Sequence, residues 1–252
     1  MSFLVGAEAY DRFMGRYSTG LAPQLADLAG VEAGQVVLDV GCGPGALTRE
    51  LVRRVGPASV SAVDPSDPFV AATRERYPGV RVELARAEQL PFADQTFDAT
   101  LAQLVVHFMK DPVVGIREMA RVTRQGGVLA ACVWDHAGNQ GPLNVFWDAA
   151  RALAPDLEDE SQLPGTSEGH LAQLFAEAGL SDVESGALTV AVEHPTFDEW
   201  WEPFTLGVGP AGAYLLGLDT QPQVELRERC RGMLPPGPFT QTATAWSARG
   251  QV

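Results

Sequence analysis

The chain has 252 residues, 46% of them apolar and 20% charged, enough for one large α/β domain with a packed core. Its formal net charge of −14 repels phosphate backbones and argues against bulk nucleic-acid binding. The longest apolar stretches are strand-sized, so no membrane span is expected; residues 1–6 lack the basic and apolar regions of a signal peptide, which predicts a cytoplasmic protein.

The first half alternates strands and helices. A short β-branched run at 36–40 ends in glycines, and 44–55 follows at helical spacing with Leu47, Leu51 and Val55 on one face. A second strand at 59–63 ends at Asp64. A helix over 65–77 is closed by Pro78-Gly79. Strands are predicted at 80–84 and 97–102. Asp111-Pro112 then opens a helix, with Asp111 as N-cap and Pro112 at the first helical position. It ends before Gly126-Gly127, and 128–134 is a fifth strand. Beyond it, helices are expected at 141–153 and 167–178, a strand at 182–193, broken helix over 196–234, and a last strand at 239–246 that closes the sheet. No clean linker interrupts this order. The reading is a single domain over 1–252, with an N-terminal cap at about 1–34 and a substrate-specificity elaboration at about 137–235.

Such alternation implies a mostly parallel sheet with helices on both faces. Right-handed crossovers bring the strands' C-terminal ends to one edge, where ligands bind. Cys42, Cys132 and Cys230 are far apart and odd in number. Three free thiols in a reducing compartment are expected, and no metal.

The strongest local signal is Val37-Leu38-Asp39-Val40-Gly41-Cys42-Gly43-Pro44-Gly45, at a strand–loop–helix junction. Glycines there let the backbone turn sharply and approach a ligand. Asp64 ends the next strand, where an acid can take ribose hydroxyls. Asp39 separates two cofactors. A dinucleotide places its pyrophosphate over such a loop, and a buried carboxylate beside that anion is repelled. S-adenosylmethionine (SAM) has no phosphate and carries a sulfonium and an ammonium, both of which favour a nearby acid.

The segment resembles motif I of class I SAM-dependent methyltransferases. Three further blocks continue the resemblance: Ala87-Glu88-Gln89-Leu90-Pro91-Phe92 as the loop after strand three, Phe97-Asp98-Ala99-Thr100 as strand four, and Glu118-Met119-Ala120-Arg121-Val122 as the helix before strand five. The likeness is greatest to the small-molecule group that includes ubiquinone/menaquinone-type enzymes, and it is strong over about 10–135. It implies a Rossmann-like fold with a seven-stranded sheet and a reversed final strand. It also implies roles: Gly41, Gly43 and Gly45 along the methionine part of SAM, Asp39 facing its amino group, Asp64 on the ribose, Ala87 and Glu88 flanking the adenine, and Gln103 touching cofactor or acceptor. Tyr10, Arg16 and Tyr17 lie in an element that closes over SAM, with Arg16 pairing the SAM carboxylate. One position departs from the pattern. Many relatives carry Asp before the Ala-Glu pair, where this chain has Arg86, and a guanidinium cannot accept the adenine amino hydrogen bond.

His107, just after strand four, is the candidate general base. Trp134, His136, Trp147, Trp200 and Trp201 are candidates for an aromatic acceptor pocket, with core packing as the alternative for each. His170 and His194 are read as surface residues. The implied function is methyl transfer from SAM to a small, fairly apolar acceptor, leaving S-adenosylhomocysteine. The chain lacks the Asn/Asp-Pro-Pro-aromatic signature of base amino-group methyltransferases after strand four, where it reads Ala102-Gln103-Leu104-Val105. Three alternatives remain at this point: a non-catalytic SAM-binding protein, a small enzyme that uses SAM for another reaction, and an NAD-dependent oxidoreductase, since Gly41-x-Gly43-x-x-Ala46 formally fits a dinucleotide fingerprint. The sequence gives no oligomeric state.

Overall fold

A computed structural model of the chain describes residues 6–252. The reading of a missing signal peptide rests mainly on residues 1–5, outside the described residues. Helix α1 (Ala7–Tyr10) runs through a π-helical turn (Asp11–Gly15) into α2 (Arg16–Leu28), and β1 (Val37–Val40) starts the sheet. Then come α3 (Ala46–Val55), β2 (Val60–Asp64), α4 (Asp67–Arg76), β3 (Arg81–Leu84), β4 (Phe97–Gln103), α5 (Pro112–Val122) and β5 (Thr123–Trp134). The second half adds α6 (Asn144–Leu153), α7 (His170–Ala178), β6 (Ser181–His194), α8 (Phe197–Trp201), α9 (Gly209–Gly217), α10 (Thr220–Met233) and β7 (Phe239–Gln251).

The seven strands form one sheet in the order β3-β2-β1-β4-β5-β7-β6. β1 to β5 are parallel, and β7 runs antiparallel between β5 and β6. The Rossmann-like architecture expected from the sequence is therefore present. Chain order reverses at β1, with β2 on one side and β4 on the other. The C-terminal ends of these strands form the crevice where such folds take ligands.

Side chains alternate across the sheet. Ala130, Cys132 and Trp134 join a core with α2, α3, α6 and α9, whereas Leu129, Ala131 and Val133 join a second core with α5 and α7. β6 lies inside the stretch 137–235 read as an elaboration, yet it is one of the two edge strands of the sheet. β7 extends to Gln251, past the predicted end, because its glycine and polar positions pair with β5 on one side and β6 on the other. The backbone ladder holds it where side-chain periodicity fades.

Local chemistry sets the boundaries. Asp111 is extended, and its side chain accepts from the Val114 N–H at 3.0 Å, with Pro112 at the first helical position. Asp111→Ala is expected to lower stability by about 1 kcal/mol, read as a shifted denaturant midpoint with unchanged slope. Gly179, left-handed at φ 97°, stops α7.

The blocks Ala87–Phe92 and Glu118–Val122 prove to be partners. Glu118 accepts from the Leu90 N–H, and Arg121 donates to the carbonyls of Leu90 and Phe92 while bonding Glu118. One helix face thus pins the loop after β3, and that loop carries Ala87 and Glu88 to the ligand edge.

Candidate active site

β1 ends in a glycine turn because the chain must reverse over the neighbouring strand. The Gly41 and Cys42 N–H groups both donate to the Val63 carbonyl, at 2.8 and 2.9 Å. Gly41 has φ +71°, and a Cβ there would lie 2.4 Å from the Val105 side chain. Gly43 has φ +53° with nothing within 4 Å of its missing Cβ, so its backbone faces open space.

Two carboxylates organise this turn. Asp64, at the end of β2, accepts from the Gly43 N–H at 2.9 Å and from the Ser66 N–H at 2.8 Å. Asp39 is 1% exposed. Its Oδ2 accepts from the Thr48 hydroxyl at 2.6 Å, whereas its Oδ1 has no hydrogen-bond partner. Burial pushes the Asp39 carboxyl up to about 7, against the opposing pull of Thr48, and Asp64 adds to the rise. Burial also raises Asp64, although its two backbone donors pull it down. A cation brought to this site would reverse both penalties.

The turn opens onto a cleft of ≈ 870 Å³, partly open to solvent. Of the expected cofactor residues, Tyr10, Gly41, Gly43, Asp64, Ala87, Glu88 and Gln103 all line it. Asp39 is buried and is not among the lining residues. Nor is Gly45; it caps the start of α3, and a Cβ there would lie 2.4 Å from the Tyr77 ring. Gln103 donates to the Ser18 carbonyl at 3.0 Å and leaves its carbonyl oxygen without a partner. Glu88 accepts from the Lys110 and Asp111 N–H groups. Arg86 also lines the cleft, where the usual acid would stand.

Two expected cofactor residues lie elsewhere. Arg16 Nη1 is 3.1 Å from His194 Nδ1, and Tyr17 bonds His194 and Gln241, at 3.0 and 2.8 Å. Both line a small separate pocket with Trp200 and Phe204. A π-helical turn separates Tyr10 from both residues, and α2 presents them to His194 of β6. His194 is buried, contrary to the surface reading, because β6 aims it at α2. Arg16→Ala is therefore expected to change SAM affinity by less than about threefold in calorimetry, well under one 1.4 kcal/mol decade.

A second pocket of ≈ 390 Å³ adjoins the cleft and shares Tyr10, Leu104 and Phe108 with it. Of the candidate acceptor-side residues, Trp134, His107 and His136 line it. Trp147, Trp200 and Trp201 do not. Trp147 turns its ring N–H to Glu160 at 3.0 Å, and Trp200 donates to Gln241 at 2.9 Å. Trp201 packs in a ring cluster with Phe146, Phe197 and Phe204. Adjacent helical positions diverge, but the cover formed by α8 and α9 is thick enough to bury both indoles.

The sequence reading missed Glu160, which lies in the polar stretch 156–169 and gives no local signal. It opens a 3-10 turn, is buried, and lines the second pocket. Leu104 was missed too. It lines both cavities with φ +61°, a conformation costly for a branched side chain and concentrated at functional sites. Burial lowers His107 well below the ordinary imidazole range and His136 to about 4, and raises Glu160 to about 7.

A doubly wound sheet with an antiparallel seventh strand, and with two acids meeting under a glycine turn at the switch point, defines a Rossmann-like methyltransferase. Residues 38–131 match the family model described as a methyltransferase domain. An uncharacterized methyltransferase of Mycobacterium sp. (strain JLS) is 34% identical over 205 residues, covering 75% of this chain and 79% of that protein. A chloroplastic 2-methyl-6-phytyl-1,4-hydroquinone methyltransferase 2 of Oryza sativa subsp. japonica is 34% identical over 151 residues, 59% of this chain; the chain spans 39% of that protein's length. The solved complex of geranyl diphosphate C-methyltransferase from Streptomyces coelicolor A3(2) with Mg2+, geranyl diphosphate and S-adenosyl-L-homocysteine shares the fold, with TM-score 0.56 at 17% identity over 94% of this chain and 80% of that one. The chain belongs to the class I SAM-dependent methyltransferases. Among the described residues, no helix is long and apolar enough to cross a membrane.

Proposed function

We propose that this protein transfers the methyl group of SAM to a small, fairly apolar molecule held in the pocket behind Tyr10 and Leu104. The carrying observation is the meeting of two cavities. One is walled by acids and glycines, the other is mostly apolar, and the same three side chains border both. A cytoplasmic setting accords with three buried free cysteines.

The cofactor site has the right unfilled valences. Asp39 Oδ1 and Gln103 Oε1 are buried acceptors without partners, suited to an ammonium or sulfonium. Asp64 would hold the ribose, since each of its oxygens keeps a free lone pair beyond the backbone bond. Ala87 and Glu88 would border the adenine. The Glu88 oxygen Oε1 already serves the Lys110 and Asp111 amides, leaving Oε2 for the base.

Bound SAM supplies a methyl carbon already activated by the sulfonium, and loses it as S-adenosylhomocysteine. The chain's task is alignment and desolvation. Tyr10, packed edge-on against Phe69 at 5.4 Å between ring centres, would position the two ligands at the junction. Phe13, Met14 and Leu143 exclude water from the acceptor. His107, His136 and Glu160 form a polar end of that pocket and would bind the acceptor's polar atom. Burial makes His107 a weak base, which favours holding over proton abstraction.

Mass-spectrometric screening with SAM against hydroxylated, aminated and enolic aromatic and terpenoid molecules tests this. A product 14 Da heavier than its acceptor, formed together with S-adenosylhomocysteine, is expected. Binding of SAM with no transfer to any acceptor class would leave a non-catalytic binding protein instead.

A further inference from the structure

We propose that His107, His136 and Glu160 form a binding site for one divalent first-row transition metal in the acceptor pocket. The three side chains come from separate loops that the sheet brings together. His107 sits in the short turn after β4, His136 two residues beyond β5, and Glu160 at the head of its own 3-10 turn. One donor atom from each lies within 4.8 Å of the others. No metal was expected from the sequence, because these residues are far apart in the chain and match no ligand-spacing motif.

Protein–protein bonding leaves the cluster incomplete. His136 Nε2 and Glu160 Oε1 are 3.9 Å apart, beyond a hydrogen bond but close enough to bind a shared ion with small movement. His107 Nδ1 is buried and has no partner. Buried polar atoms normally find partners, and an ion shared with His136 and Glu160 would give His107 one. The Glu160 carboxylate is also held from behind. The Trp147 indole donates to Oε2 at 3.0 Å and leaves Oε1 towards the histidines. Such an outer partner orients a ligating carboxylate.

The donor set selects the ion. Two imidazoles and one carboxylate suit Zn2+, Fe2+, Co2+ or Ni2+, whereas Mg2+ and Ca2+ prefer all-oxygen sites. Three protein ligands leave at least one coordination position, and the pocket is where it opens. An acceptor oxygen on an apolar frame, such as a hydroxyl, phenol or enol, fits that position. There its acidity would rise, and it would be fixed near the cofactor cleft. The acceptor part of this inference rests on the methyl-transfer reading; metal uptake does not.

The test is titration of the full chain, stripped with chelator, with Co2+ alone and then Zn2+ as competitor. Expected is one Co2+ per chain with visible ligand-field absorption, displaced by Zn2+. Glu160→Gln and His136→Ala are expected to lose the absorption, and Trp147→Phe to weaken Co2+ binding about tenfold or more. Circular dichroism checks that each variant folds. Failure of folded wild type to take up either ion would overturn the site. So would equal uptake by wild type, Glu160→Gln and His136→Ala, since binding would then lie elsewhere on the acidic surface. A parallel S-adenosylhomocysteine titration separates the two readings. Metal uptake without cofactor binding would overturn methyl transfer alone, and cofactor binding without metal uptake would overturn the metal site alone.

Discussion

Asp64→Ala is expected to weaken SAM and S-adenosylhomocysteine binding about a hundredfold. Hydrogen bonds to a charged acceptor contribute about 1.5–3 kcal/mol each, and a ribose offers two hydroxyls, so the loss of both costs about two decades of affinity at the lower end. The side chain also ties the glycine turn to β2, through the Gly43 and Ser66 N–H groups. Its removal leaves two amides without their acceptor, and a stability loss of about 1–3 kcal/mol is expected alongside. Asp64→Asn keeps the size but turns a donor towards one of those amides, so it too should bind poorly. Calorimetry gives the affinity and thermal unfolding the stability. A folded Asp64→Ala protein with cofactor affinity within about threefold of wild type would remove Asp64 from the site.

The second large effect concerns pH and Asp39. Its carboxyl rises from 3.8 to about 7 in the folded chain, chiefly through burial. Between those values the folded protein keeps a proton that the unfolded chain has lost. Stability from this group is therefore highest at low pH and falls as pH rises through the window. A ligand cation favours the ionised form, so cofactor binding below about pH 7 expels the proton. Affinity is expected to rise with pH, by up to about tenfold per unit between about pH 5.5 and 7. Asp39→Asn should flatten that slope, bind more weakly at about pH 8, and make the ligand-free protein more stable there. Cofactor titration of both proteins across the range checks this, because the ligand's own ionisation is common to both. Parallel slopes in wild type and variant would show that Asp39 does not face the cation.

The first half of the fold was legible because its signals are local. β1 to β5 are apolar runs punctuated by Gly, Pro and Asp, and Asp111-Pro112 declares a helix start without reference to anything distant. The cleft proposed for the cofactor was legible for the same reason, since the glycine turn and Asp64 that line it lie within one β-α-β unit. Arg16 and Tyr17 were misplaced because a helix near the cleft does not reveal which face it turns there, and a π-helical turn intervenes. The second pocket, proposed for the acceptor, depends on long-range packing. Trp200 and Trp201 look like pocket residues in sequence, but α8 lies outside the pocket wall and both indoles fill core. Glu160 is the converse case. Nothing near it in the chain marks it, and its burial, its bond from Trp147 and its nearness to His136 exist only once α6 and the loop after β5 have closed over it.

Calorimetric titration of the wild-type chain with SAM, S-adenosylhomocysteine and NAD in parallel tests the central claim most directly. The account predicts one site per chain, micromolar affinity for both sulfur compounds, about −8 kcal/mol on the 1 M scale, and no heat with NAD. Binding of NAD, or silence with both SAM and S-adenosylhomocysteine, would contradict it.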